Sequence, residues 1–116
     1  TNEDEMTLIM KDEKEINNRV YQFPTSQIKL NGNKSSYFEV ISSLKFKEIN
    51  AALIKIYPLI DLEKIFSLIE KIECISETHK RFYKLMLQNR YEKILKYSYD
   101  KLVGENKWKH INQKEL

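Results

Sequence analysis

Residues 76–104 read SETHKRFYKLMLQNRYEKILKYSYDKLVG, and most of them lie in the long run 59–103 that holds neither proline nor glycine. Ser76 is an N-cap residue by type, because its hydroxyl accepts a backbone N–H from the first turn. Gly104 stands where a helix often ends in a left-handed residue. The spacing between them predicts a helix over roughly 77–103. At about 100° per residue from Phe82, the side chains of Met86, Tyr97, Tyr83, Ile94, Leu87, Tyr91, Leu102 and Leu95 fall between about 40° and 220°. A helix at the edge of a small domain buries a narrower stripe than this. The helix therefore lies centrally, or it leaves part of its face for a partner. Tyr97, Tyr99 and Trp108 are the candidate exposed anchors, since aromatic side chains tolerate half-burial and dominate interface energies.

Arg90 falls inside the apolar arc, at about 80°. A buried guanidinium has to be paired and hydrogen-bonded. An ion pair with an acid from another helix, or a side chain reaching to the edge, is the expected arrangement. A partner-facing or anion-binding arginine is the alternative. Lys80, Arg81, Lys84, Lys93 and Lys96 alternate with aromatic residues and are the nucleic-acid candidates, because bases of this kind contact phosphate while aromatics stack. They ring the helix and form no stripe, so a solvated fringe is the main expectation.

Upstream, Asp61 caps a stretch in which Leu62, Ile65, Phe66, Ile69 and Ile72 make a clean amphipathic stripe. This helix, over 61–73, and the 77–103 helix are expected to form the core. Pro58 closes the element before it. Ser36 and Glu39 have capping-box spacing, and Tyr37, Val40, Ile41 and Leu44 follow at helical intervals. Residues 46–57 continue helically, or start afresh with Asn50 as a cap. Asn31-Gly32 supplies the positive φ values of a tight primed turn, which places a short β-hairpin near residues 27–36. Residues 3–22 read as one acidic-fronted helix stopped by Pro24.

The 116-residue length is that of a single domain. We expect a mainly α-helical domain over 1–104, of about five helices with one hairpin, followed by a polar tail over 105–116. Apolar residues make up 41% of the chain and charged residues 32%. That is enough apolar material for one small core, and no run is long enough to span a membrane. Residues 1–20 are acidic and lack a long apolar stretch, so no secretory signal is read and the cytoplasm is the expected compartment. The chain opens on Thr1 instead of Met, which fits a piece of a longer protein.

Lysine occurs 17 times against 3 arginines, with 14 isoleucines, 9 asparagines and 7 tyrosines. All of these except arginine have AT-rich codons, and the bias points to a low-GC bacterium or its mobile DNA. Part of the basicity is therefore codon usage, and the net charge is only +3. One cysteine excludes an internal disulfide and a cysteine-based zinc site, and Cys74 sits between Glu73 and Glu77, which oppose thiolate formation. His79 and His110 have no ligand spacing between them. There is no phosphate loop, dinucleotide fingerprint, nucleophile elbow or kinase motif set. No cofactor or metal is expected.

Four stretches carry a family resemblance: Ser35–Ile41 (SSYFEVI), Lys45–Asn50 (KFKEIN), Pro58–Ile65 (PLIDLEKI) and Arg81–Tyr91 (RFYKLMLQNRY). Together they resemble the C-terminal helical end of HipA-like kinases of low-GC bacteria. These are serine/threonine kinases, often the toxins of toxin–antitoxin pairs. None of that family's catalytic motifs matches a position here. The resemblance implies a helical lobe segment whose chemistry lies upstream of Thr1. The expected role is a non-catalytic interaction or regulatory module. Its partner is another protein, the remainder of a longer chain, or a second copy of itself. A weak nucleic-acid-binding protein of a mobile element is the alternative, and no membrane role is expected.

Overall fold

The computed structural model describes residues 2–22 and 25–105. In chain order the elements are α1 (Glu3–Met10), α2 (Glu13–Tyr21), β1 (Thr25–Leu30), β2 (Asn33–Ser36), α3 (Tyr37–Ser43), α4 (Lys47–Ile56), a 3-10 turn (Tyr57–Leu59), α5 (Leu62–Glu70), α6 (Glu77–Arg90) and a π turn (Tyr91–Lys96). Helix then continues over 97–105. The fold is mainly helical with one short antiparallel hairpin.

The expected single helix over 3–22 is two helices. Asp12 breaks it by turning its carboxylate onto the next helix start, where Oδ1 accepts the N–H groups of Lys14 at 3.0 Å and Glu15 at 3.4 Å. An aspartate that caps cannot also sit mid-helix, because the capping conformation is extended. The break lets two short helices fold back so that Met6 and Ile9 of α1 join Ile16 and Val20 of α2 in one cluster.

The hairpin turns on Asn31 (φ 55°) and Gly32 (φ 81°), which pair Leu30 with Asn33 and Lys29 with Lys34. It begins at Thr25, earlier than expected, and the register slips before the Thr25–Ser36 pair. Ser26 Oγ donates to the Ser35 carbonyl at 2.9 Å across that irregular stretch. Ser36 then caps α3 by accepting the Glu39 N–H at 3.2 Å. α3 stops at Leu44, whose left-handed backbone (φ 58°) is unusual for a leucine. Asn50 caps nothing; its Nδ2 donates to the Leu44 carbonyl at 2.9 Å from within α4. Asp61 and Ser76 do cap, accepting from Lys64 at 3.2 Å and His79 at 3.2 Å. Gly104 ends no helix, since residue 105 is still helical.

The core is Met6, Ile9, Ile16, Val20, Phe82, Met86 and Ile94, with Phe38, Ile41 and Leu95 packed against it. Only half of the expected core pairing survives. The long C-terminal helix is central, but α1 and α2 cover it where α5 was expected. α5 touches α6 and buries Ile69 alone. α4, the 3-10 turn and α5, called the wing below, bury only Leu53 and Ile69 among them, and the molecule measures 58 × 35 × 23 Å.

Two substitutions test this account by urea unfolding. Asp12→Ala removes a cap and lowers stability by about 1 kcal/mol. Met86→Ala opens the central contact and costs about 2–5 kcal/mol. An Asp12→Ala variant as stable as the parent would contradict the capping role.

Candidate functional site

A cavity of about 180 Å³ opens between the wing and the central helix. α4 supplies Ile49, Ala52, Leu53 and Ile56, spaced as one face of a helix. Ile41 comes from α3, Tyr57 and Ile60 from the 3-10 turn and the residue after it, and Leu95 from the π turn. Every lining side chain is apolar or aromatic. A pocket for a small polar substrate carries a few convergent polar groups, and this one carries none beyond the Tyr57 hydroxyl. Ile56 of the lining is itself half-exposed, and Leu59, just before the lining residue Ile60, is exposed to 77%.

The tyrosines at the wing's base hold the groove together. Tyr57 is stacked between Tyr91, with ring centroids 5.2 Å apart, and Tyr99, at 4.5 Å. The π turn keeps Tyr91, Leu95 and Tyr99 on the wing side of the helix, the kind of local widening that often sits beside functional surface. Burial, then the hydrogen bond with Tyr91, pushes the Tyr57 hydroxyl up to about 12. It stays protonated at neutral pH and serves as packing, not as a base.

The partner candidates are dispersed. Tyr99 is half-buried in the stack instead of standing free, and Tyr97 is half-exposed and tilted against Phe38 at 5.8 Å. Trp108 lies outside the described residues. Arg90 is half-buried but meets no acid among the described residues. Burial first, then the charge of Arg19, lowers its pKa. The expected interhelical ion pair is absent there.

The basic candidates are largely occupied by neighbours. Lys80 is buried, and its ammonium donates to the Glu70 carbonyl at 2.9 Å and to Glu77 at 3.4 Å. Lys84 pairs with the Glu70 carboxylate, and that hydrogen bond holds Glu70 below the usual carboxylate range. Lys93 donates to Asn17 Oδ1 at 2.6 Å, and Lys96 to Asp100 at 2.8 Å. Arg81 is exposed.

Ser76, His79 and Glu3 meet but do not form a catalytic triad. Both Ser76 Oγ (2.8 Å) and Glu3 Oε1 (3.7 Å) approach the same ring nitrogen, Nδ1. A triad needs the nucleophile and the acid on opposite nitrogens. Among the described residues no cluster of His, Cys, Asp and Glu is placed to hold a metal ion, and no helix is long and apolar enough to cross a membrane. Sequence reading missed the groove because its residues are spread over four elements. The Ile49–Leu53–Ile56 spacing was its one visible trace.

No family model matches the chain. It is 35% identical over 102 residues to the serine/threonine-protein kinase CtkA of Helicobacter pylori strain J99, a match that takes in 84% of this chain and 31% of that kinase. The crystal structure of the proinflammatory kinase CtkA of H. pylori superposes with a TM-score of 0.84 at 30% identity, covering 90% of this chain and 36% of that one. The chain thus spans about a third of the length of the kinase it matches. By sequence and by fold, it belongs with one helical segment of the HipA-like serine/threonine kinases.

Proposed function

We propose that this chain is a non-catalytic helical segment of a HipA-like kinase, acting as an interaction module whose apolar groove is covered by the remainder of the kinase. The toxin–antitoxin setting is part of the same proposal and follows from the family resemblance. One observation carries the reading. A segment matching about a third of a kinase presents an all-apolar groove whose lining residue Ile56 is half-exposed, with Leu59 exposed next to the lining residue Ile60. An open apolar surface of this kind marks an interaction site. The kinase motif set has no counterpart in the sequence, which supports a reading in which phosphoryl transfer belongs to the rest of the kinase. Nucleic-acid binding gains no support, since four of the five candidate bases already have polar partners.

The isolated chain is expected to transfer no label from γ-labelled ATP to itself or to a general protein substrate. Autophosphorylation above background would overturn the non-catalytic reading. Leu59→Asp should change the isolated chain's stability by less than about 0.5 kcal/mol, because Leu59 is already largely in water, and Ile56→Asp, at a half-exposed lining residue, by about 1 kcal/mol. In the longer kinase the same changes should lower soluble yield and thermal midpoint sharply. Equal, small effects in both contexts would mean that the groove is not covered by the kinase. Light scattering on the isolated chain identifies the rival occupant, since a dimer lost in Ile56→Asp assigns the groove to a second copy.

A further inference from the structure

α5 ends against the grain of its own charges. The helix has no basic residue in its last turn, where unpaired carbonyls carry partial negative charge. It closes on an acid, Glu70, with the exposed Lys71 just beyond. At nine residues it is also too short to persist alone in water. The compensation comes from α6. Lys80 Nζ donates to the Glu70 backbone carbonyl at 2.9 Å, one of the carbonyls a helix end leaves over, and to Glu77 Oε1 at 3.4 Å. Lys84, one turn further along α6, pairs with the Glu70 carboxylate. Lys80 is buried, so its ammonium depends on these acceptors in place of water.

Little else fastens the helix. α5 packs mainly on α6, and Ile69 is the one side chain it buries. The chain is non-helical at 60–61 before it and at 71–76 after it, which gives α5 a joint at each end. We infer that α5 is a releasable strap, folded and docked on α6 only while Lys80 and Lys84 clasp Glu70. Loss of the clasp shifts it toward an undocked, melted state that bares Ile69 and the α6 surface beneath. None of its residues lines the apolar groove, so the strap does not rest on the groove's proposed role.

The test is amide hydrogen exchange on the full 116-residue chain, read residue by residue by NMR at one pH. In the parent the amides of residues 66–70 exchange faster than those of the core residues Val20 and Met86, because α5 opens without global unfolding. Lys80→Met speeds exchange at 66–70 by about tenfold, the size expected when a hydrogen bond to a charged group is lost, and leaves Val20 and Met86 within about twofold. Lys84→Met acts in the same direction and by less, since that pair is partly in water. Lys96→Met, which removes the exposed Lys96–Asp100 pair further along the same helix, leaves residues 66–70 unchanged. The proposal is overturned if residues 66–70 exchange at the rate of the core amides in the parent. It is equally overturned if Lys80→Met and Lys84→Met speed their exchange no more than Lys96→Met does. If Lys80→Met does not fold by circular dichroism, Lys84→Met, at the more exposed lysine, decides the matter.

Discussion

Every helix ahead of α6 is ten residues or shorter, and helices of that length are marginal in water on their own. Each persists only while docked on something longer. The long C-terminal helix is the one element able to serve, and its Phe82–Met86–Ile94 face is where α1 and α2 bury Met6, Ile9, Ile16 and Val20. Loss of that contact would release the two N-terminal helices and, with them, α3, which leans on the same cluster, and the hairpin packed on α3. The wing is different. α4 and α5 reach the central helix through few buried side chains, chiefly Leu53 and Ile69, so they depend on it without contributing much to it.

What was legible in the sequence was local chemistry. Ser36, Asp61 and Ser76 cap as their side chains predict, and Asn31-Gly32 turns as its backbone freedom predicts. Asp12 had the same chemistry, but inside an acidic run it read as dipole pairing, and the helix break went unseen. Leu44 gave no signal, because the left-handed position it fills is normally marked by glycine or asparagine. The π turn was equally silent: apolar periodicity reports which face is buried, not which carbonyl each N–H meets. α5 shows the limit of amphipathicity most plainly. Its stripe says that a face needs covering and says nothing of what covers it.

The charges teach a related point about the candidate site. The lysines read as a mainly solvated fringe, with nucleic-acid contact as the alternative, because spacing along one helix hides partners on others. Asn17 lies 76 residues from Lys93 and the Ser42 carbonyl 59 from Lys101, yet both accept hydrogen bonds from those ammonium groups. One arginine behaves oppositely. Of the 3 in the chain, Arg90 is half-buried on α6 and meets no acid among the described residues. Codon bias accounts for a surplus of lysine, but it does not account for that placement.

Shape connects the fold to the family. A compact chain of this length has a radius of gyration of about 13 Å, whereas this one measures 17.1 Å. An elongated chain leaves more apolar surface uncovered, and Leu59 and Leu68 are both largely exposed. A self-sufficient domain folds such a surface inward, since each exposed leucine forgoes about 1.5–3 kcal/mol of burial. Here the Tyr91–Tyr57–Tyr99 stack holds the base of the wing in place and keeps the groove open. Rigid support for an open apolar groove makes physical sense when something outside these residues fills it. The kinase relative, roughly three times as long, has the chain to do so.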